Sequence, residues 1–261
     1  MPTAIEGAAL IGHTGFVGST LARDRRFPAT FNSRNIETIR GRHFNTVVCA
    51  GVSAVKWLAN KEPEKDWEGI SRLIDCLSGV KAERFVLIST IDVYRDPSGQ
   101  TERDAPPVDG LHPYGLHRLK LEAFIRQQFP VSTTVRLPAL FGTGLRKNAI
   151  YDMIHLNAPE KVVPNGSFQW YPTRRLADDL DRIVAAGLDQ VNITAEPVEM
   201  GAIHDRFFAD VTIAPPGANP PRYDMRSIFD AVLGGHGGYH LSADQVFQEL
   251  EIFITEARAA S

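Results

Sequence analysis

The chain has few cysteines, little net charge and no long apolar run. Its two cysteines, Cys49 and Cys76, each sit inside an apolar stretch of the 261 residues. That count excludes a disulfide framework and points to buried packing thiols in a reducing compartment. The formal net charge of −3 means that nothing in the bulk electrostatics points to nucleic acid. The one dense basic cluster, RDRR at 23–26, is broken by Asp24 and reads as a solvated helix end. No apolar run is long enough for a membrane span, and the opening MPTAIEGAAL lacks the basic and apolar regions of a signal peptide. Metal-ligand clusters are also missing. His236 and His240 stand four apart in GGHGGYH, but its four glycines argue against the helix that would join them, so a flexible loop is expected. The expectation is therefore a cytoplasmic protein with a small-molecule substrate and no metal, membrane or nucleic-acid partner. A homodimer is an assembly open to it.

What is present is ordinary globular composition, 43% hydrophobic and 23% charged, in a regular order of elements. The short apolar run AALIG (8–12) ends in glycine, as a buried parallel strand would. GHTGFVG follows, with Gly12, Gly15 and Gly18 at G-x-x-G-x-x-G spacing. The first glycine permits a tight turn, the second lets backbone approach a pyrophosphate, and the third packs helix on strand. The phosphates would then sit on the helix N-terminus, near Thr14, Phe16 and Val17. Further strands are expected at 29–32, 45–51, 84–90, 132–138 and 190–194, with helical patterns at 66–80, 117–129 and 174–188 between them. Strand–helix alternation of this kind predicts an α/β fold, a doubly wound parallel sheet binding its ligand at the C-terminal strand ends. The proline-rich stretch 212–222 is expected to be a loop.

The second strand ends in Asn32, Ser33 and Arg34, with no carboxylate to take a ribose 2′-hydroxyl. Ser33 and Arg34 could instead bind a 2′-phosphate, so the cofactor is expected to be NADP or NAD, with NADP favoured.

Taken together, GHTGFVG (12–18), VVCAGVSAV (47–55), VLISTIDVY (86–94), PYGLHR (113–118) and RLPALFG (136–142) resemble the signatures of the extended short-chain dehydrogenase/reductase superfamily, the NAD-dependent epimerase/dehydratase group. The segment VSAVKWLANKEPEKDW is faintly similar to nucleotide-sugar ketoreductases of deoxysugar synthesis. The resemblance implies a single Rossmann-type NAD(P)-binding domain over 1–261, with a small C-terminal substrate-binding region drawn from about 143–172 and 196–241. It implies hydride transfer at a sugar or nucleotide-sugar carbonyl or hydroxyl. Ala50, Gly51, Pro138 and Leu140 would join the cofactor site. Thr90 would hydrogen-bond the reacting oxygen, and Tyr114 would be the general acid/base. Asp66 falls where the family carries an asparagine.

The family pairs its tyrosine with a lysine four residues on; here that position is Arg118. Helix geometry settles which cation faces Tyr114. At 100° per residue, Arg118 lies within about 40° of Tyr114, whereas Lys120 lies about 240° round and is expected in solvent. His117, three residues on, is also near. Arginine can lower the tyrosine pKa and hydrogen-bond ribose hydroxyls, but it cannot relay a proton. On this reading Arg118→Lys should retain or raise activity. The alternative is a weak or inactive dinucleotide-binding homologue acting as a sensor or interaction protein. In the second half, Arg146 and Asn148 are candidates for an anionic substrate group, and Gln169 and Tyr171 for contact with a base or sugar.

Overall fold

The protein is described over residues 5–259 by a computed structural model. In chain order its elements are β1 (Ile5–Ile11), α1 (Phe16–Asp24), β2 (Ala29–Phe31), β3 (His43–Cys49), α2 (Lys56–Lys61), α3 (Pro63–Leu77), β4 (Lys81–Thr90), α4 (Pro113–Gln128) and β5 (Ser132–Leu137). There follow β6 (Ala139–Phe141), α5 (Ala149–His155), β7 (Ser167–Phe168), β8 (Trp170–Pro172), α6 (Leu176–Ala185), β9 (Gln190–Asn192), β10 (Val198–Glu199), α7 (Met200–Phe207) and α8 (Ala243–Ala259). The expected strands and helices are all present. The short α2 was not expected, and α3 starts three residues earlier than its pattern suggested. Pro63 opens α3 because a first-turn residue needs no backbone N–H.

The main sheet has six strands in the order β2-β1-β3-β4-β5-β9. Strand β1 pairs in parallel with both β2 and β3, and β3 with β4. The doubly wound parallel sheet is thus as expected. Strand order reverses at β1 and β3, so their C-terminal ends form the switch point at which such sheets bind ligands. Side chains alternate across the sheet. Ala9, Ile11, Val47, Cys49, Phe85 and Leu87 form one core with Leu73, Cys76 and Leu77 of α3 and Leu121 and Ile125 of α4. Phe85 stacks on Phe129 at 4.3 Å between centroids. Leu10, Val48 and Val86 point the other way and are equally buried. Arg25, at the end of α1, binds Asp181 of α6 at 2.8 Å. Both cysteines are unpaired and buried, as packing thiols should be.

The chain divides into two compact units. One holds residues up to Arg95, Asp104–Arg136 and Leu180–Val191; the other holds Asp96–Arg103, Leu137–Asp179 and Asn192 onward. Segments 143–172 and 196–241 both fall in the second. There β6 pairs in parallel with β8, and β7 antiparallel with β10. Glu102 braces this unit by accepting from the backbone of Asn192 (2.7 Å) and Ile228 (2.9 Å) and from the Ser227 hydroxyl (2.6 Å). Residues 212–222 carry no helix or strand, and Pro221 and Tyr223 bond to the backbone of Ser167. The 234–240 stretch is a braced turn rather than a flexible loop. Gly234, Gly237 and Gly238 take positive φ, Gly238 N–H donates to Asp230 at 2.6 Å, and Tyr239 donates to Asp224. Among the described residues no helix is long and apolar enough to cross a membrane, and no group of three metal-ligating side chains is assembled.

Candidate active site

The switch point is built by backbone meeting backbone. Gly12 takes φ +87°, and a Cβ there would lie 2.3 Å from the Ala50 carbonyl oxygen. A Cβ on Gly18 would lie 2.0 Å from the Gly12 carbonyl oxygen. Both glycines are therefore required by packing. Gly15 differs: its nearest neighbour would be the Gly12 oxygen at 3.4 Å, with open space otherwise. It is the N-cap of α1 and offers no side chain to the first-turn N–H groups. Thr14 and Gly15 are exposed, Phe16 and Val17 half-buried, and Ala50 and Gly51 lie just beyond β3. Uncapped N–H groups at a helix start beside an open glycine suit a pyrophosphate. The residues present fit a dinucleotide.

At the end of β2, asparagines hold a turn. Asn32 Oδ1 accepts from the Arg34 N–H at 2.9 Å, and Asn35 Oδ1 from the Asn32 N–H at 2.7 Å. Asn32 is thus occupied within the turn, which leaves Ser33 and Arg34 exposed. His13 bonds the Phe31 carbonyl through Nδ1 at 3.0 Å, tying the glycine loop to this strand end.

Thr90 ends β4, and its Oγ1 accepts the Asp92 N–H at 3.1 Å, capping a single turn of 3-10 helix. Helix α4 starts against that turn because residue 115 is glycine; a Cβ there would lie 2.2 Å from the Asp92 carbonyl oxygen. His112 Nδ1 accepts the Gly115 N–H and Asn60 Oδ1 the Tyr114 N–H, each at 3.0 Å. These contacts set Tyr114 beside Thr90, whose hydroxyl favours the ionised phenol. Burial, the largest influence, pushes the Tyr114 pKa above its ordinary value. Arg118 pulls it down, Asp92 pushes it up, and Thr90 and Lys56 pull it down less. Lys56 Nζ pairs with Asp92 at 2.7 Å.

Arg118 lies where helix geometry placed it, its guanidinium carbon 3.8 Å from the Tyr114 ring centroid. Its donors, however, are taken. Nη1 donates to Asp66 Oδ2 (2.8 Å) and the Tyr114 carbonyl (2.9 Å). Nη2 donates to Asp66 Oδ1 (3.0 Å) and the Ser53 carbonyl (2.5 Å). The four terminal N–H bonds expected to reach ribose hydroxyls are occupied by the protein itself. Asp66 also binds His117 at 2.8 Å. Burial would raise the Asp66 pKa, but the hydrogen bonds from Arg118 and then His117 hold it below the usual carboxylate value. Lys120 is exposed, its ammonium 4.8 Å from the Trp67 ring centroid.

The second-unit candidates serve mainly as framework. Gln169 ties two segments together, donating to the Ala195 (2.6 Å) and Met225 (2.9 Å) carbonyls and accepting the Met225 N–H (2.7 Å). Tyr171 is fully buried and donates to Asp179 at 2.6 Å. Neither offers a stacking face. Asn148 takes φ 134°, caps α5 through the Tyr151 N–H and donates to the Leu140 carbonyl. Arg146 is exposed, Pro138 buried and Leu140 half-buried. Residues the sequence reading passed over are Ser53, Lys56, Asn60, Asp92 and Gly115. Of these only Gly115, directly after Tyr114, carries a readable signal: a glycine in a helix's first turn implies a close neighbour.

No family model and no curated protein matches this sequence. Solved structures match its fold. dTDP-4-dehydrorhamnose reductase from Bacillus anthracis, in complex with NADP, aligns with a TM-score of 0.75 at 15% identity over 97% of this chain and 100% of that one. UDP-glucose 4-epimerase from Brucella ovis, in complex with NAD, gives 0.76 at 15% identity over 98% of each chain. An NAD-dependent NDP-hexosamine 5,6-dehydratase involved in tunicamycin biosynthesis gives 0.75 at 16% identity, again over 98% of each. The chain has their fold. At these identities the likeness speaks for architecture, and chemistry must be argued from the side chains.

Proposed function

We propose that the protein is an NAD(P)-dependent oxidoreductase of the epimerase, dehydratase or reductase kind, acting on a nucleotide-linked sugar. The observation that carries this reading is the Arg118 guanidinium across the ring of Tyr114, with Thr90 beside the phenol, in the unit that also holds the open glycine loop. Bound dinucleotide would supply hydride chemistry at its nicotinamide carbon. The glycine loop and the first N–H groups of α1 would hold its pyrophosphate, and Ser33 and Arg34 would take a 2′-phosphate. Thr90 would orient the substrate oxygen, and Tyr114 would give or accept its proton. The structural neighbours named above act on nucleotide sugars, which supports the substrate class.

A specific observation favours a second reading, a slow or inactive dinucleotide-binding homologue. Arg118 is neutralised by Asp66, and Tyr114 is held above its ordinary pKa. Two measurements separate the readings. NAD and NADP should each raise the melting temperature, NADP more; no stabilisation by either sinks the cofactor assignment. With a dTDP- or UDP-linked keto sugar and NADPH, Tyr114→Phe should cut turnover at least about a hundredfold while leaving the dinucleotide shift intact. Stabilisation without any Tyr114-dependent turnover would favour the second reading.

A further inference from the structure

The unit standing in place of the family's lysine is a pair. We infer that Asp66 is the positioning residue of this site: it fixes the Arg118 guanidinium over the Tyr114 ring and cancels its charge, so that Arg118 and Asp66 work only together. The inference deepens the proposed reaction and rests on that reading for its catalytic meaning.

The geometry is specific. Both Asp66 oxygens engage Arg118, at 2.8 and 3.0 Å, from a helix 52 residues away in sequence. The pair is almost sealed, with 4% and 8% of the two side chains exposed. A bidentate fork needs a planar guanidinium; a lysine ammonium has one point of attachment. Placed at 118, lysine would give up the second Asp66 contact, and one nitrogen could not span Asp66, the Ser53 carbonyl and the Tyr114 carbonyl. Arg118→Lys alone is therefore disabling, contrary to what helix geometry suggested. Asparagine at 66 would restore the conditions for lysine by removing the carboxylate that binds it.

The charge balance follows. The groups facing Tyr114 are Arg118, Asp92, Lys56 and Thr90, with the His112 ring tilted against it at 6.2 Å and Asp66 behind Arg118. Lys56 and Asp92 pair with each other, as Arg118 and Asp66 do. The phenol thus sees two compensated pairs rather than a net cation. Removing the Asp66 charge leaves Arg118 unopposed against the ring.

The test compares wild type, Asp66→Asn, Arg118→Lys and the double variant. Tyr114 ionisation is read from tyrosinate absorbance, with Tyr114→Phe as the baseline. This readout needs neither cofactor nor turnover, so it stands even if the protein proves to bind no dinucleotide. Asp66→Asn should move the ionisation of Tyr114 down by about one pH unit or more. In Arg118→Lys, Asp66 should draw the single ammonium off the ring and move the Tyr114 ionisation up, and the double variant should bring it back down, a rescue that a purely structural defect would not give. An unmoved ionisation in folded Asp66→Asn would overturn the inference, as would a Tyr114 ionisation in Arg118→Lys equal to that of wild type. If both Asp66→Asn and the double variant fail to fold, Asp66 is a fold element and the inference is wrong.

Discussion

Helix α4 carries two buried arginine–carboxylate pairs one turn apart, and they differ in what surrounds them. Glu122 receives Arg136 Nε at 3.1 Å and Nη2 at 2.6 Å, and also the Ser89 hydroxyl, while Arg136 Nη1 donates to the Tyr94 oxygen at 2.8 Å. Every partner belongs to α4, β4, β5 or the turn after β4, and 1% or less of either side chain is exposed. Arg118 and Asp66 also pair bidentately, through Nη1 and Nη2, but their neighbours are the Tyr114 ring and the Ser53 carbonyl in the loop beyond β3. The first pair locks helix to sheet. The second touches Tyr114, the side chain proposed to carry the acid–base chemistry. Identical chemistry is thus structural or functional according to what the remaining face of the ion pair meets.

The largest expected effect breaks the structural member. Glu122→Ala leaves the Arg136 charge buried without a counterion, which should cost about 3–5 kcal/mol of unfolding free energy by urea titration. Replacing both, Glu122→Leu with Arg136→Met, should recover most of that loss, because a well-packed apolar pair avoids desolvating two ions. A Glu122→Ala loss below about 1 kcal/mol would show that the two pairs do not divide as argued.

The same division runs through the glycine loop. Gly18→Ala sets a Cβ against backbone that cannot give way and should cost about 1–3 kcal/mol of stability. Gly15→Ala meets open space, so its melting temperature should stay near that of wild type while dinucleotide affinity falls about tenfold, roughly 1.4 kcal/mol. Equal losses of stability in both variants would place Gly15 with the framework and remove the phosphate cradle.

The division explains what could be read beforehand. Glycine spacing and strand–helix alternation are local patterns, and the sheet, its switch point and the Tyr114–Arg118 facing all follow from them. Ion-pair partners are not local: nothing in DWEGISRLI indicates that Asp66 will meet Arg118 rather than water. Gln169 and Tyr171 misled for a related reason. Alternating aromatics and amides look alike on a ligand platform and in a core, and only their hydrogen bonds to Ala195, Met225 and Asp179 decide. Asn148 looked like a substrate contact but is spent as a helix cap.

The smallest expected effect lies at the opposite pole from both buried pairs. Arg34 is exposed, at the end of β2, on a turn whose two asparagine side chains are already committed to holding it. An arginine with its donors free can serve a ligand, whereas Arg118 and Arg136 turn most of theirs to the protein. Arg34→Ala should therefore leave stability within about 0.5 kcal/mol of wild type, as surface substitutions generally do. It should weaken NADP binding about tenfold, roughly 1.4 kcal/mol, and leave NAD binding unchanged. Because the contact would be between exposed charges, the NADP preference should also shrink as salt rises from low to physiological concentration. Parallel isotherms for NAD and NADP in wild type and variant decide the matter. An unchanged NADP-to-NAD ratio would mean that Arg34 is a solvated surface residue, and the case for NADP over NAD would lose its only cation.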